Sequence, residues 1–116
     1  MIHFNPKRAL KAQVDGIIST WIPLRQSILD SHKERKKGSK NDMMTALKLY
    51  ERLIMQVSET SIFEVGNIKE YEVLPLNGEE RYLFIIKKPE QYAAFCQLDE
   101  LFEETLKKIA GLRARK

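Results

Sequence analysis

Cysteine occurs once in this chain, at Cys96, and histidine only twice, at His3 and His32. A lone cysteine excludes an internal disulfide and any CxxC metal or redox motif. Neither histidine has a second one at zinc-ligand spacing, and a single ligand does not hold a metal. The five glycines are scattered. They form neither GxxxxGK nor GxGxxG, so a phosphate-cradling loop is missing too. No apolar run approaches the ~20 residues of a membrane span. The opening Met1-Ile-His-Phe-Asn-Pro-Lys-Arg has no basic stretch leading into an apolar core, so it does not read as a secretory signal. These absences lead us to expect a cytoplasmic chain with no cofactor, no bound metal and no membrane partner.

What is present is ordinary for a soluble globular protein: 43% hydrophobic and 31% charged residues over 116 positions. That length suits one domain with a single core. The net charge of +4 conceals segregation: residues 1–56 carry +6, residues 57–106 carry −7 and the last ten carry +5. Such a layout either pairs acidic with basic helix faces or displays a basic patch outward.

Four segments show helical periodicity. Between Lys88 and Gly111, Tyr92, Phe95, Leu98, Phe102, Leu106 and Ile109 recur at steps of three and four, which makes one apolar stripe. Pro89 suits the first turn of such a helix and Gly111 its end. Near the start, Asn5 and Pro6 can cap and open a helix. Leu10, Val14, Ile17, Trp21, Leu24 and Ile28 then keep one register through Pro23. A proline normally breaks or kinks a helix, so two readings stand, one long helix bent near Trp21 or a nearly collinear pair with Pro23 opening the second, and the pair is preferred. Trp21 belongs to the core in this reading. A further stripe, Leu47, Tyr50, Ile54 and Val57, follows a cap at Asn41 or Asp42.

Residues 58–76 have poor periodicity, with Ile62 and Phe63 expected to tuck under the bundle. Asn77-Gly78 between Tyr71–Leu76 and Glu79–Ile86 is a hairpin signal, opposed by Pro75 inside the first strand. The competing helix has Asn77 as N-cap, Glu80 at N3, and Tyr82, Leu83 and Ile86 on one face. Here a family resemblance adds weight. Glu79-Glu-Arg-Tyr-Leu-Phe-Ile-Ile86, Lys88-Pro89, Tyr92, Phe95 and Gln97-Leu-Asp-Glu-Leu-Phe102 resemble the C-terminal half of the YpoC-like proteins, a small uncharacterised family of Gram-positive bacteria. The resemblance implies an all-helical fold, a helix at 79–86 and a cytoplasmic Gram-positive origin. It brings no active site with it.

Lys33, Arg35, Lys36, Lys37 and Lys40 are the candidate phosphate- or partner-binding residues, five cations within eight positions. They could neutralise phosphates weakly and in a salt-sensitive way. The run lacks interleaved aromatics for base stacking, and a solvated connector is the favoured reading of it. Arg113-Ala-Arg-Lys116 has the same two readings, and chain ends of this kind are often disordered. Asp99, Glu100, Glu103 and Glu104 share helix faces four apart. A metal-dependent nucleotide hydrolase needs several such oxygens around one cation, but a second carboxylate element is missing. Cys96 lies beside Phe95 in an apolar stripe, where a thiol is an inert small hydrophobe. No catalytic residue is assigned, and the chain is not expected to be an enzyme.

The expected architecture is all-α, an irregular antiparallel bundle of four to five helices. One helical domain covers residues 1–116, with a basic loop at 33–41 and a basic tail at 112–116. The expected function is a non-catalytic interaction module that binds a protein partner. The alternative is a weak nucleic-acid accessory protein, and the outsider a carboxylate–metal nucleotide hydrolase.

Overall fold

A computed structural model describes residues 1–35 and 39–115. The expected all-α class holds. Four α-helices, α1 (Lys11–Lys33), α2 (Ser39–Gln56), α3 (Gly78–Lys87) and α4 (Tyr92–Ala114), are joined by segments that include short 3-10 turns at Pro6–Arg8 and Val65–Glu70.

α1, with the residues just before it, runs along α4. Ala9 meets Arg113, Trp21 stacks on Phe102, Arg25 holds Asp99 and His32 packs edge-on to Tyr92. Residue numbers rise along one helix as they fall along the other, so the two run antiparallel. α2 packs back along α1 through Ser27 with Asp42 at one end and Gln13 with Gln56 at the other. It touches α4 through Tyr50, Phe102 and Thr105. The core of Trp21, Ile28, Leu47, Tyr50, Leu53, Ile54, Leu98, Leu101, Phe102 and Ile109 sits between these three helices.

Several boundaries differ from the sequence reading, each for a local reason. α1 is one unbroken helix through Pro23. The proline removes the donor for the Ser19 carbonyl, but both residues are exposed, so water can satisfy that group. Pro89 does not open α4; Lys88–Gln91 form a turn closed by the Gln91 amide on the Lys88 carbonyl, and the helix begins at Tyr92. At the other end α4 runs past Gly111 to Ala114, because Leu112 is buried and Arg113 donates to the Ala9 carbonyl. Residues 112–114 are therefore helix rather than a loose tail.

The aperiodic stretch 58–76 is held by the N-terminus. Ile2 and Phe4 make isolated β-bridges to Tyr71 and Ser58. Backbone bonds Ile2 to Glu70, Glu72 to Ile2, Asn5 to Val57 and Glu59 to His3 tie residues 2–5 between two chain segments. Phe4 fills the gap beneath them, and Phe63 packs in while Ile62 stays exposed.

Residues 78–87 are helix, which resolves the hairpin ambiguity. Asn77 stands at the cap in a left-handed conformation, φ 57°, with no side-chain capping bond. Gly78 packs so closely on the Leu74 side chain that a Cβ there would overlap it.

Candidate functional site

α3 places the most unusual surface of the molecule. Its middle reads Tyr82-Leu-Phe-Ile-Ile86, five consecutive large apolar residues in a helix of ten. A helix with one side in water covers only part of such a run. Tyr82 and Ile85 are buried, and Gly78 lies on the same inward side. Leu83, Phe84 and Ile86 are left 46%, 36% and 36% exposed. This corrects the expected inward face of Tyr82, Leu83 and Ile86: only the first points in. Helices apolar all round are ordinarily covered on both sides, and clustered exposed apolar groups mark contact surfaces.

Inward-facing contacts fix α3 rigidly. The Tyr82 hydroxyl donates to Glu51 of α2, and burial together with that carboxylate drives the phenol pKa well above its ordinary value. Arg81, its side chain only 16% exposed, bonds Glu104 twice, Gln97 and Glu100. The Arg81 guanidinium holds the Glu104 carboxyl below its usual range. Beside it, Glu80, Arg81, Phe84, Ala93 and Gln97 line a shallow groove of about 270 Å³ between α3 and α4.

The carboxylates of α4 are thereby accounted for. Asp99 accepts two bonds from Arg25 at 2.7 and 2.9 Å, Glu100 and Glu104 face Arg81, and Glu103 pairs with Lys107 at 3.1 Å. Their oxygens face arginine and lysine, and among the described residues no cluster of three or more His, Cys, Asp or Glu side chains could hold a metal.

The basic candidates sit at the other end of the hydrophobic seam. Lys33 is the last residue of α1, Arg35 takes a left-handed turn conformation with φ 54°, and Lys40 is in the first turn of α2. Lys36 and Lys37 lie outside the described residues. The expected loop at 33–41 is shorter, since Lys33 still belongs to α1 and α2 already starts at Ser39. Lys33, Arg35 and Lys40 are all exposed. The cations at the C-terminal end of α4 are not with them. Arg113 anchors beside Ala9, about 30 Å away along α4 at 1.5 Å per residue.

One neighbour of this basic turn was invisible in the local sequence. Tyr92, expected in the buried stripe, is 53% exposed. It packs on His32 with ring centroids 5.3 Å apart. Leu29, His32, Lys33 and Tyr92 line an open cleft of about 300 Å³. Cys96, one turn on, raises the Tyr92 pKa.

A family model for YpoC-like proteins matches residues 11–116. The chain belongs to the YpoC-like family. Membership extends far beyond the Glu79–Phe102 segment that carries the visible resemblance. Among curated proteins, the uncharacterized protein YpoC of Bacillus subtilis (strain 168) is 33% identical over 98 residues. The alignment takes in 78% of this chain and 58% of the relative's own length. No solved structure matches. For a YpoC-like chain the reading of function therefore falls to the surfaces just described, and no helix among the described residues is long and apolar enough to cross a membrane.

Proposed function

We propose that this YpoC-like chain is a non-catalytic helical interaction module of the Gram-positive cytoplasm, and that it binds a protein through the outer face of α3. The observation that carries the reading is the exposure of Leu83, Phe84 and Ile86 on a helix already fixed from behind by Tyr82 and Arg81. A rigid apolar face binds with little ordering cost. The ligand it suits is a second apolar helix face that presents both signs of charge. Glu79 and Glu80 lie at one end of α3, Lys87 and Lys88 at the other.

A photoreactive amino acid at position 83, introduced in the native cell, tests this reading. Position 48 on the exposed side of α2 serves as the control. A crosslinked protein of defined mass obtained at 83 and not at 48 is the expected result. Equal labelling at both positions, or none at 83, overturns it.

A second reading rests on Tyr92 and His32. They supply beside Lys33 the aromatic surface that the basic run itself lacks. Single-stranded nucleic acid binds through such a combination of stacking and cations.

A further inference from the structure

The outer side of α3 carries its residues in a meaningful order, from half-buried Glu79 to exposed Leu83 and Lys87. Glu79, Leu83 and Lys87 are spaced four apart, so they form one row along the helix. Phe84 and Ile86 flank that row and are themselves part-exposed. The row reads acid, leucine, base, with leucine at its midpoint. Among the described residues, neither Glu79 nor Lys87 makes an ion pair within the chain.

A row of this kind complements itself when inverted. A two-fold axis through Leu83 sets Leu83 against Leu83 of the second copy. The same operation sets Glu79 against Lys87 and Lys87 against Glu79, since both lie four residues from the axis, about 6 Å along a helix. Packed helices lie 8–10 Å apart, a separation that Glu and Lys side chains can span. Closed two-fold contacts repeat each interaction twice. Parallel alignment would instead set like charges together. An acid at the start and a base at the end suit the dipole of any helix. The central exposed leucine has no such explanation.

We infer that the occupant of the α3 face is a second copy of this chain, docked antiparallel about Leu83, with each Leu83 flanked by the partner's Phe84 and Ile86. The inference rests on the reading of α3 as a contact face and names its partner. A ten-residue helix offers about 15 Å of length. With the adjoining groove at Phe84, Ala93 and Gln97, the contact stays below the ~800 Å² per partner of a standard interface. The dimer is therefore weak and exchanges with monomer in the micromolar range or above.

Sedimentation velocity on the full chain, run from micromolar to millimolar concentration, reads the equilibrium. Mass should rise from monomer towards dimer and no further. Leu83→Asp should weaken association by about tenfold or more while keeping the helical circular dichroism and melting temperature, because the Leu83 side chain lies outside the core. Glu79→Lys and Lys87→Glu should each weaken it, and the double variant E79K/K87E should recover it. That recovery requires position 79 to face position 87 of another copy. A chain monomeric at millimolar concentration, or a double variant no better than the singles, overturns the inference. If a photo-crosslink at position 83 then yields a protein of different mass, only self-association has failed and the contact-face reading stands. If it yields nothing, both have failed.

Discussion

Trp21 and Phe102 stack face to face, with ring centroids 4.1 Å apart and planes inclined by 14°. Tyr50 meets the same phenylalanine edge-on at 5.3 Å. One ring on α4 thus joins α1 and α2, and all three aromatics are buried. Phe102→Ala should cost ~3–5 kcal/mol, the range for truncating a buried phenylalanine. Denaturant unfolding of the purified variant measures this. A loss below about 1 kcal/mol, the scale of surface substitutions, would show that the three-helix junction is not built as described.

Tyr50 and Thr105 form a buried hydroxyl pair at 2.8 Å. Burial holds the Tyr50 phenol well above its ordinary pKa. Thr105→Val leaves the tyrosine hydroxyl without a partner, at a cost of about 1–3 kcal/mol. Tyr50→Phe alone should cost a similar amount. Together the two should cost clearly less than their sum, because the double variant leaves no orphaned polar group. Strict additivity in the cycle would mean that the two hydroxyls do not bond.

Much of this fold is legible in the residues. The stripes Val14–Ile17–Trp21–Ile28 and Phe95–Leu98–Phe102–Ile109 are buried as their spacing indicates, while Leu10 at the head of the first is 56% exposed and Leu24 and Leu106 are half-buried. Helix ends were less legible, because capping signals are worth little beside burial. Gly111 offered a stop, but Leu112 gains more by packing than the helix loses there. The segment 58–76 had no period to read, since backbone bonds from residues 2–5 order it. The candidate site was only half legible. The basic run is plain in the sequence, but its aromatic neighbour Tyr92 comes from a helix some sixty positions away. The run Tyr82–Ile86 was visible too. With no period inside five apolar residues, sequence could not say which of them face out.

Arg81 lowers the pKa of Glu104 in the folded chain. A carboxylate whose folded value is depressed adds stability above its unfolded pKa of about 4.3, and that stability disappears as pH falls through the folded value. Glu104 is 44% exposed on its side chain, so solvent screening limits the contribution to below about 1 kcal/mol. Urea midpoints measured downward from pH ~5 should therefore fall less steeply for Glu104→Gln than for the unmodified chain. Parallel curves would mean that the Arg81 cluster is not formed in solution.

The basic turn provides the last prediction. Exposed Lys33 lines one cleft with His32 and Tyr92, and Arg35 and Lys40 are exposed nearby in the chain, so single-stranded nucleic acid could place a base and phosphates here. Its two components separate by experiment. Replacing Lys33, Arg35, Lys36 and Lys37 together with neutral residues should weaken binding uniformly across sequences, because bonds to phosphate carry no base information. It should also flatten the log–log dependence on salt, by about 0.7 for each single-strand phosphate that is no longer neutralised. Tyr92→Ala should leave that slope unchanged and weaken binding by roughly the 1–3 kcal/mol of one stacked base. Neither change should move the melting temperature far, as exposed charges and a half-exposed ring contribute little to stability. Filter binding of a fluorescent single strand over a salt series that starts low, where screening is weakest, measures these binding effects. No retention of the unmodified chain under those conditions would return the turn to the role of a solvated connector between α1 and α2.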